Sequence, residues 1–248
     1  MHGVVFDGTR LLHLRRRLRT KLAEAPPGAL ISIAMDIGRG EDWLAGGLGD
    51  KSFNYWAQPA AADCRLGLGR AISIVGEGPE RFADLQSAFA ELASNWVVDS
   101  DDPVSPAAFL GFAFSDDQSG PLPNALLTVP SVMLQCRNGR CCAILSCIAD
   151  DGESAIDRWM AALHPGSRLR PAGLVAPAQT RIPTPLADRE WLTRVNSALA
   201  DIAAGKLTKV VLTRRIALRA RQDFAVGPIL RTLARRQPAS TVFGFGDP

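Results

Sequence analysis

Of the ionisable side chains in this sequence, Lys209 has the setting best suited to chemistry. It lies at the head of TKVVLTRRIALRA (residues 208–220), a run whose aliphatic and β-branched residues predict a strand. Alternation puts Lys209, Val211 and Thr213 on one face, and Val210, Leu212, Ile216 and Leu218 on a second, core-like face. A lysine near the start of such a strand can be partly desolvated. Desolvation disfavours the ammonium form and lowers the pKa, so a neutral amine becomes available as a base. Taken alone, the position reads as a solvated lysine at a strand end.

The elements around Lys209 are legible from their punctuation. Asp188 can cap a helix whose apolar positions Trp191, Leu192, Val195, Leu199 and Ile202 share one face, and Gly205 can close it in the left-handed conformation. Before this helix, Pro165, Pro171, Pro177, Pro183 and Pro185 mark an extended connection, because proline donates no ladder hydrogen bond. This gives three regions: a β-rich part over 1–164, a proline-rich connection over 165–187, and a second region from 188 to 248. The last holds a further helix, VGPILRTLARRQ, and the strand-like run TVFGFG, interrupted by Gly244.

In the first region, Leu11, Leu14, Leu18 and Leu22 form the apolar stripe of a helix ended by Pro26, Pro27 and Gly28. Strands are predicted over Ala29–Ile37 and from Leu66 to Gly78, the latter followed by a helix in PERFADLQSAFAELASNW. FLGFAFS, NALLTVPSVMLQCRNG and RCCAILSCIA read as three more, with Asn138-Gly139 as a hairpin turn between the last two. A short helix, GESAIDRWMAALHP, follows. The turn GEGPE (76–80) lacks the lysine and hydroxyl residue of a phosphate loop and reads as a strand-to-helix connection.

Composition narrows the function classes. With 248 residues, 47% hydrophobic and 21% charged, the chain reads as an ordinary globular protein with a sizeable core. A net charge of +3 is too small to draw the whole molecule to nucleic acid or anionic membrane. The basic helix face of Arg15, Arg16, Arg17, Arg19 and Lys21 has no interleaved aromatics for base stacking, so it reads as solvated. From Gly205 to Pro248, nine Lys or Arg stand against two Asp, a field that would attract an anionic dicarboxylate. Acidic residues lying beyond this stretch would pair with the same arginines. Three scattered histidines give no helical metal-ligand spacing, which excludes a zinc hydrolase. Five cysteines with no CxxC pair favour reduced, buried thiols. With no signal-peptide core and no span of about 20 apolar residues, a cytoplasmic location is the expectation.

The predicted helix, Gly205 and KVVLTR, in that order, resemble the signature of chorismate-using enzymes in the form found in isochorismate synthases. The likeness extends upstream through WLAGGLGDKSFNYW with its Tyr55-Trp56 pair, RLGLGRAISIVGEGPERFADL, FLGFAFS and ALLTVPSVMLQCRNG. The resemblance implies an α+β fold of antiparallel β-sheets packed face to face and flanked by helices, incomplete in these residues. It implies chorismate as substrate, with Lys209 as the general base that takes a proton from the water attacking C2 while the C4 hydroxyl leaves. Relatives using ammonia typically lack lysine here, so Lys209 argues for water as nucleophile; salicylate synthases share the lysine and begin with the same step. The resemblance serves menaquinone, siderophore and salicylate synthesis alike, and no nucleic acid or membrane partner is expected.

The same resemblance implies a glutamate acid in a glycine-alanine-serine-proline-glutamate motif after TVFGFG, and Mg2+ held by glutamates further on. No glutamate follows Glu190, and Asp201, Asp223 and Asp247 are the only acids beyond it. These residues are therefore expected to be the N-terminal portion of such an enzyme, inactive by themselves. A truncated remnant, or a split subunit completed by a complementary chain, is the alternative.

Overall fold

The computed structural model describes residues 7–38, 43–46, 48, 52–100, 106–115, 123–163, 179–181, 185–214, 216–220 and 224–246. The chain divides into two units, one of Met1–Ala172 with Val226–Pro248 and one of Gly173–Ala225. The fold is α+β.

The first unit is organised by a mixed sheet with the strand order β12-β2-β3-β8-β9-β1-β5. Its members are β1 (Leu30–Gly38), β2 (Phe53–Gln58), β3 (Asp63–Leu68), β5 (Trp96–Asp99), β8 (Val132–Arg137), β9 (Arg140–Ile148) and β12 (Val242–Gly246). All neighbours are antiparallel except β1 and β5. A smaller antiparallel sheet has the order β4-β7-β6, from β4 (Ile72–Gly76), β7 (Ala125–Val129) and β6 (Phe109–Phe112).

Alternation along the large sheet separates two cores. On one face Ile31, Ile33, Tyr55, Leu66, Leu134, Ala143 and Leu145 pack with Leu14 and Leu18 of helix α1 (Gly8–Glu24), Trp159 of α3 (Ser154–Leu163) and Leu230 of α5 (Val226–Arg236). The leucine stripe read from the sequence is this contact, and Asp7 caps α1 by accepting from the Arg10 N–H at 2.8 Å. On the other face Leu30 joins Leu127 and Val129 of the small sheet and Leu85 of α2 (Arg81–Ser94). Ala34, Met133 and Ile144 meet Phe109 there.

Two expected strands are each divided between the sheets. Leu66–Gly78 breaks at Gly69, whose φ of +64° turns the chain out of β3 and into β4. The run through Val129 and Val132 breaks at Pro130, which has no N–H for a ladder and separates β7 from β8. The Asn138-Gly139 hairpin holds: both residues have positive φ, 52° and 79°, as a type I′ turn requires.

That turn also corrects the cysteine reading. Arg137 and Arg140 close the two-residue loop, so Cys136 and Cys141 form the next, non-hydrogen-bonded pair, where cross-strand side chains approach most closely. Their Cα atoms are 4.1 Å apart and they are joined as a disulfide. Cys147 is a buried free thiol.

The second unit holds α4 (Pro185–Ala203) and the two-stranded pair β10 (Gln179–Arg181) and β11 (Leu218–Ala220). Helix α4 begins at Pro185, three residues before the expected cap at Asp188, because proline suits the first helical position, where an N–H has no intrahelical partner. Gly205 closes the helix with φ of +70°. The expected strand over 208–220 is reduced to Leu218–Ala220. Only these three residues have a ladder partner among the described ones, and without one the backbone groups cannot form a sheet. Most of the proline-rich connection, with Arg215, Arg221, Asp223 and Asp247, lies outside the described residues.

Candidate active site

Each unit contributes one candidate feature. In the first, the two sheets part at the β12-β2 end and leave a cleft of about 650 Å³. Its floor follows from register: Phe243 lies opposite Trp56, and Phe245 opposite Asn54, so all four side chains share the face turned to the small sheet. The adjacent Tyr55 points the other way into the helix-covered core, where it is buried. The Tyr55-Trp56 pair singled out in the sequence therefore serves two surfaces.

The wall is built by β6, β7 and the residues that join them. Phe109 and Gly111 lie opposite Thr128 and Leu126, which puts these four on the face of the small sheet turned toward the floor. Gly67 allows the approach: a Cβ there would stand 2.9 Å from Phe109 Cε2 and 2.9 Å from Pro130 Cβ. Asn54, Asn124, Thr128 and Ser115 supply the polar groups of an otherwise aromatic surface. Beside the cleft, the Arg65 guanidinium lies 5.1 Å from the Trp56 ring centroid and pairs with Asp63 at 3.5 Å.

This surface suits a flat, mostly apolar small molecule bearing a few hydrogen-bonding groups. Among the described residues the lining contains no His, Lys, Asp or Glu, so none of these side chains serves as a general acid or base there. Sequence reasoning missed Phe109, Phe243, Phe245 and Asn54. The only signal was the alternation of aromatics in TVFGFG beside FNYW, which acquires meaning once β12 and β2 pair.

The second unit holds Lys209. Its side chain is exposed, and so are Val210 (39%) and Val211 (75%) beside it. The segment is tied back to α4 by Arg214, whose Nη1 donates to Asp188 Oδ1 at 2.9 Å and whose guanidinium lies 5.4 Å from the Trp191 ring centroid. The apolar stripe expected on α4 is largely uncovered, with Leu192 59% and Leu199 58% exposed. Asp201 accepts from Lys206 Nζ at 3.3 Å. Within this unit the desolvating strand environment expected for Lys209 is not formed.

Magnesium, which the family resemblance implies, needs several oxygen donors converging on one point. Among the described residues, no group of three or more His, Cys, Asp or Glu side chains could hold a metal ion. The described residues do not fit that ion. Nor is any described helix long and apolar enough to cross a membrane.

A seven-stranded mixed sheet facing a smaller antiparallel one, with helices on the far side, defines an α+β scaffold, and residues 26–248 match the family model described as chorismate binding enzyme. The chain belongs to that family. Among proteins of known role it is similar to the salicylate biosynthesis isochorismate synthase of Pseudomonas aeruginosa, with 29% identity over 177 residues, covering 64% of this chain and 35% of that protein. Among solved structures it is similar to MenF, the menaquinone-specific isochorismate synthase from Escherichia coli, with a TM-score of 0.54 and 13% identity over 95% of this chain and 52% of that one. The chain thus spans about a third of the first relative and about half of the second.

Proposed function

We propose that these residues belong to an enzyme of the isochorismate synthase type, with chorismate as substrate and Lys209 as the base that activates water. The observation that carries this reading is the family match across residues 26–248, which includes a lysine in KVVLTR after the helix closed by Gly205. In this reading Lys209 Nζ takes a proton from water as its oxygen bonds to C2 of chorismate. The ring double bond shifts and the C4 hydroxyl leaves. A departing hydroxide needs a proton, so a general acid must stand opposite the base.

Among the described residues beyond Glu190 the one acid is Asp201, which is engaged with Lys206, and no glutamate follows Glu190. We infer that turnover needs carboxylates from outside these 248 residues, supplied by a longer form of the protein or by a complementary chain. The relative named for salicylate biosynthesis is itself called an isochorismate synthase, which favours isochorismate as the product.

The test compares these 248 residues with a chimera that adds the region of the Pseudomonas aeruginosa relative lying beyond the match. Each is incubated with chorismate and Mg2+ and the products are separated by chromatography. Isochorismate from the chimera, abolished by Lys209→Ala, is the expected result. Full activity in the Lys209→Ala chimera would remove the lysine from the mechanism, and robust turnover by the 248 residues alone would refute the need for outside carboxylates.

A further inference from the structure

The sequence holds five asparagines, and Asn138 alone is followed by glycine. An Asn-Gly pair is the one most open to intramolecular imide formation, because glycine has no side chain to shield its nitrogen from the preceding carboxamide. Both residues are exposed, and a Cβ built on Gly139 would meet no atom within 4 Å, so solvent reaches the pair. The Gly139 N–H stands outside the ladder, whose closing residues are Arg137 and Arg140.

The turn itself holds the reaction back. Ring closure brings the Gly139 nitrogen against Cγ of Asn138, so that nitrogen must lie on the side-chain side of the Asn138 Cα–C bond. The positive φ values of the pair define a type I′ turn, which sets ψ of its first central residue at about +30° and turns the Gly139 nitrogen away from the Asn138 side chain. Two contacts keep the turn in this form. The Asn138 N–H donates to the Ala62 carbonyl at 3.1 Å. The bond between Cys136 and Cys141 clasps the two strands one residue pair below the loop.

We propose that Asn138 is a site of covalent modification, its conversion to aspartate and isoaspartate gated by the disulfide between Cys136 and Cys141. Cys136 is half-buried and Cys141 is 3% exposed, so a small dithiol enters at Cys136 Sγ. The dithiol is oxidised to a disulfide and both cysteines are reduced to thiols. With the clasp open the hairpin end frays and rotation about the Asn138 Cα–C bond is released. A bond then forms from Gly139 N to Asn138 Cγ, the bond from Cγ to Nδ2 breaks, and the Gly139 amide proton leaves with that nitrogen as ammonia. Water opens the resulting succinimide, giving aspartate when it attacks Cγ and isoaspartate when it attacks the main-chain carbonyl carbon. Aspartate suits a type I′ turn as asparagine does. Isoaspartate adds a methylene to the main chain, and the two-residue loop no longer closes.

The test incubates the full chain at mildly alkaline pH with and without dithiothreitol, then reduces, alkylates and digests it with Asp-N protease. Asn138 falls in the peptide 117–149. Aspartate at this position adds a cut, whereas isoaspartate leaves the peptide whole with a changed mass, so both products are counted. Loss of Asn138 should be about tenfold faster in the reduced protein, since the clasp acts by restricting the opened hairpin. The double variant Cys136→Ser/Cys141→Ser should show the faster rate without reductant, and the chain unfolded in urea should be faster still. Equal rates for oxidised and reduced wild-type protein overturn the proposal, and that comparison decides it if the double variant does not fold. An oxidised rate equal to that in urea also overturns it, because the turn then gives no protection. So does a reduced rate equal to that in urea, which would mean that reduction unfolds the protein outright.

Discussion

The ring of Phe109 rests on the bare backbone of Gly67. A Cβ at Gly67 would stand 2.9 Å from Phe109 Cε2 and equally close to Cβ of Pro130, closer than carbon atoms pack. The ring edge can swing, but proline is rigid, so the small sheet would have to lift away from the large one. Gly67→Ala should therefore destabilise the first unit by about 1–3 kcal/mol, as overpacking does. It should also widen the cleft bordered by Trp56 and Phe109. Urea denaturation reads the first effect, and the emission of Trp56 measured in a background with the other tryptophans replaced by Phe reads the second. An unchanged midpoint would show that β6 shifts freely.

Acid should weaken the contact between Arg17 and Asp99. The Arg17 Nε donates to Asp99 Oδ2 at 2.7 Å, while its Nη1 and Nη2 donate to the carbonyls of Ala34 and Asp99, each at 3.0 Å. That hydrogen bond, and then the guanidinium charge, hold the Asp99 carboxyl below its usual range. With the folded pKa depressed, the contribution is complete above the unfolded value of about 3.9 and is lost as pH falls through the folded value. Asp99→Asn should cost roughly 1–3 kcal/mol at pH 7 and little at pH 2. Glu153, likewise lowered by Arg19, titrates in both proteins, so the difference between their urea midpoints at the two pH values isolates Asp99.

How far the sequence carried this picture depends on the range of the interaction. Features fixed within a few residues were legible: the α1 leucine stripe, the Asn138-Gly139 turn, the left-handed close at Gly205, and GEGPE as the link from β4 to α2. Those set by distant partners were not. Nothing in LGLGRAISIVGEG says that its halves join different sheets, since that is decided by pairing with β8 and β7, 49 or more residues on. The cleft was invisible because its floor comes from β2 and β12, at opposite ends of the chain. Lys209 was found from its neighbours and the family resemblance, yet among the described residues of the strand expected around it only Leu218–Ala220 have a ladder partner, and a strand exists only with one.

A second buried contact joins two hydroxyls and an indole. Ser32 Oγ and Ser146 Oγ are 2.7 Å apart, and Trp96 Nε1 donates to Ser32 Oγ at 2.9 Å. Both serines are almost wholly buried, so no water replaces a lost partner. Ser32→Ala leaves the Ser146 hydroxyl and the Trp96 N–H without their acceptor or donor and should cost about 1–3 kcal/mol. The double variant Ser32→Ala/Ser146→Ala should recover part of that loss, because it removes one of the two stranded groups. A double-mutant cycle by urea unfolding measures the coupling, and strict additivity would mean that the hydroxyls do not interact.

Cys147 should be the last thiol to react. Burial, and then the nearby Asp151 carboxylate, push its pKa up to about 12, because a thiolate there would lose its hydration and face a like charge. At pH 8 the reactive thiolate is then nearly absent, and the side chain is only 1% exposed. Iodoacetamide should leave Cys147 unmodified in the native protein and reach it only after urea is added. The same shift sets an alkaline limit. An unfolded chain releases this proton near pH 8.5 and the folded one does not, so stability is unaffected below that value and falls as pH rises toward 12. Cys147→Ala removes the titration and should flatten the alkaline decline between pH 9 and 11. A decline of the same slope in both proteins would place its origin in other groups.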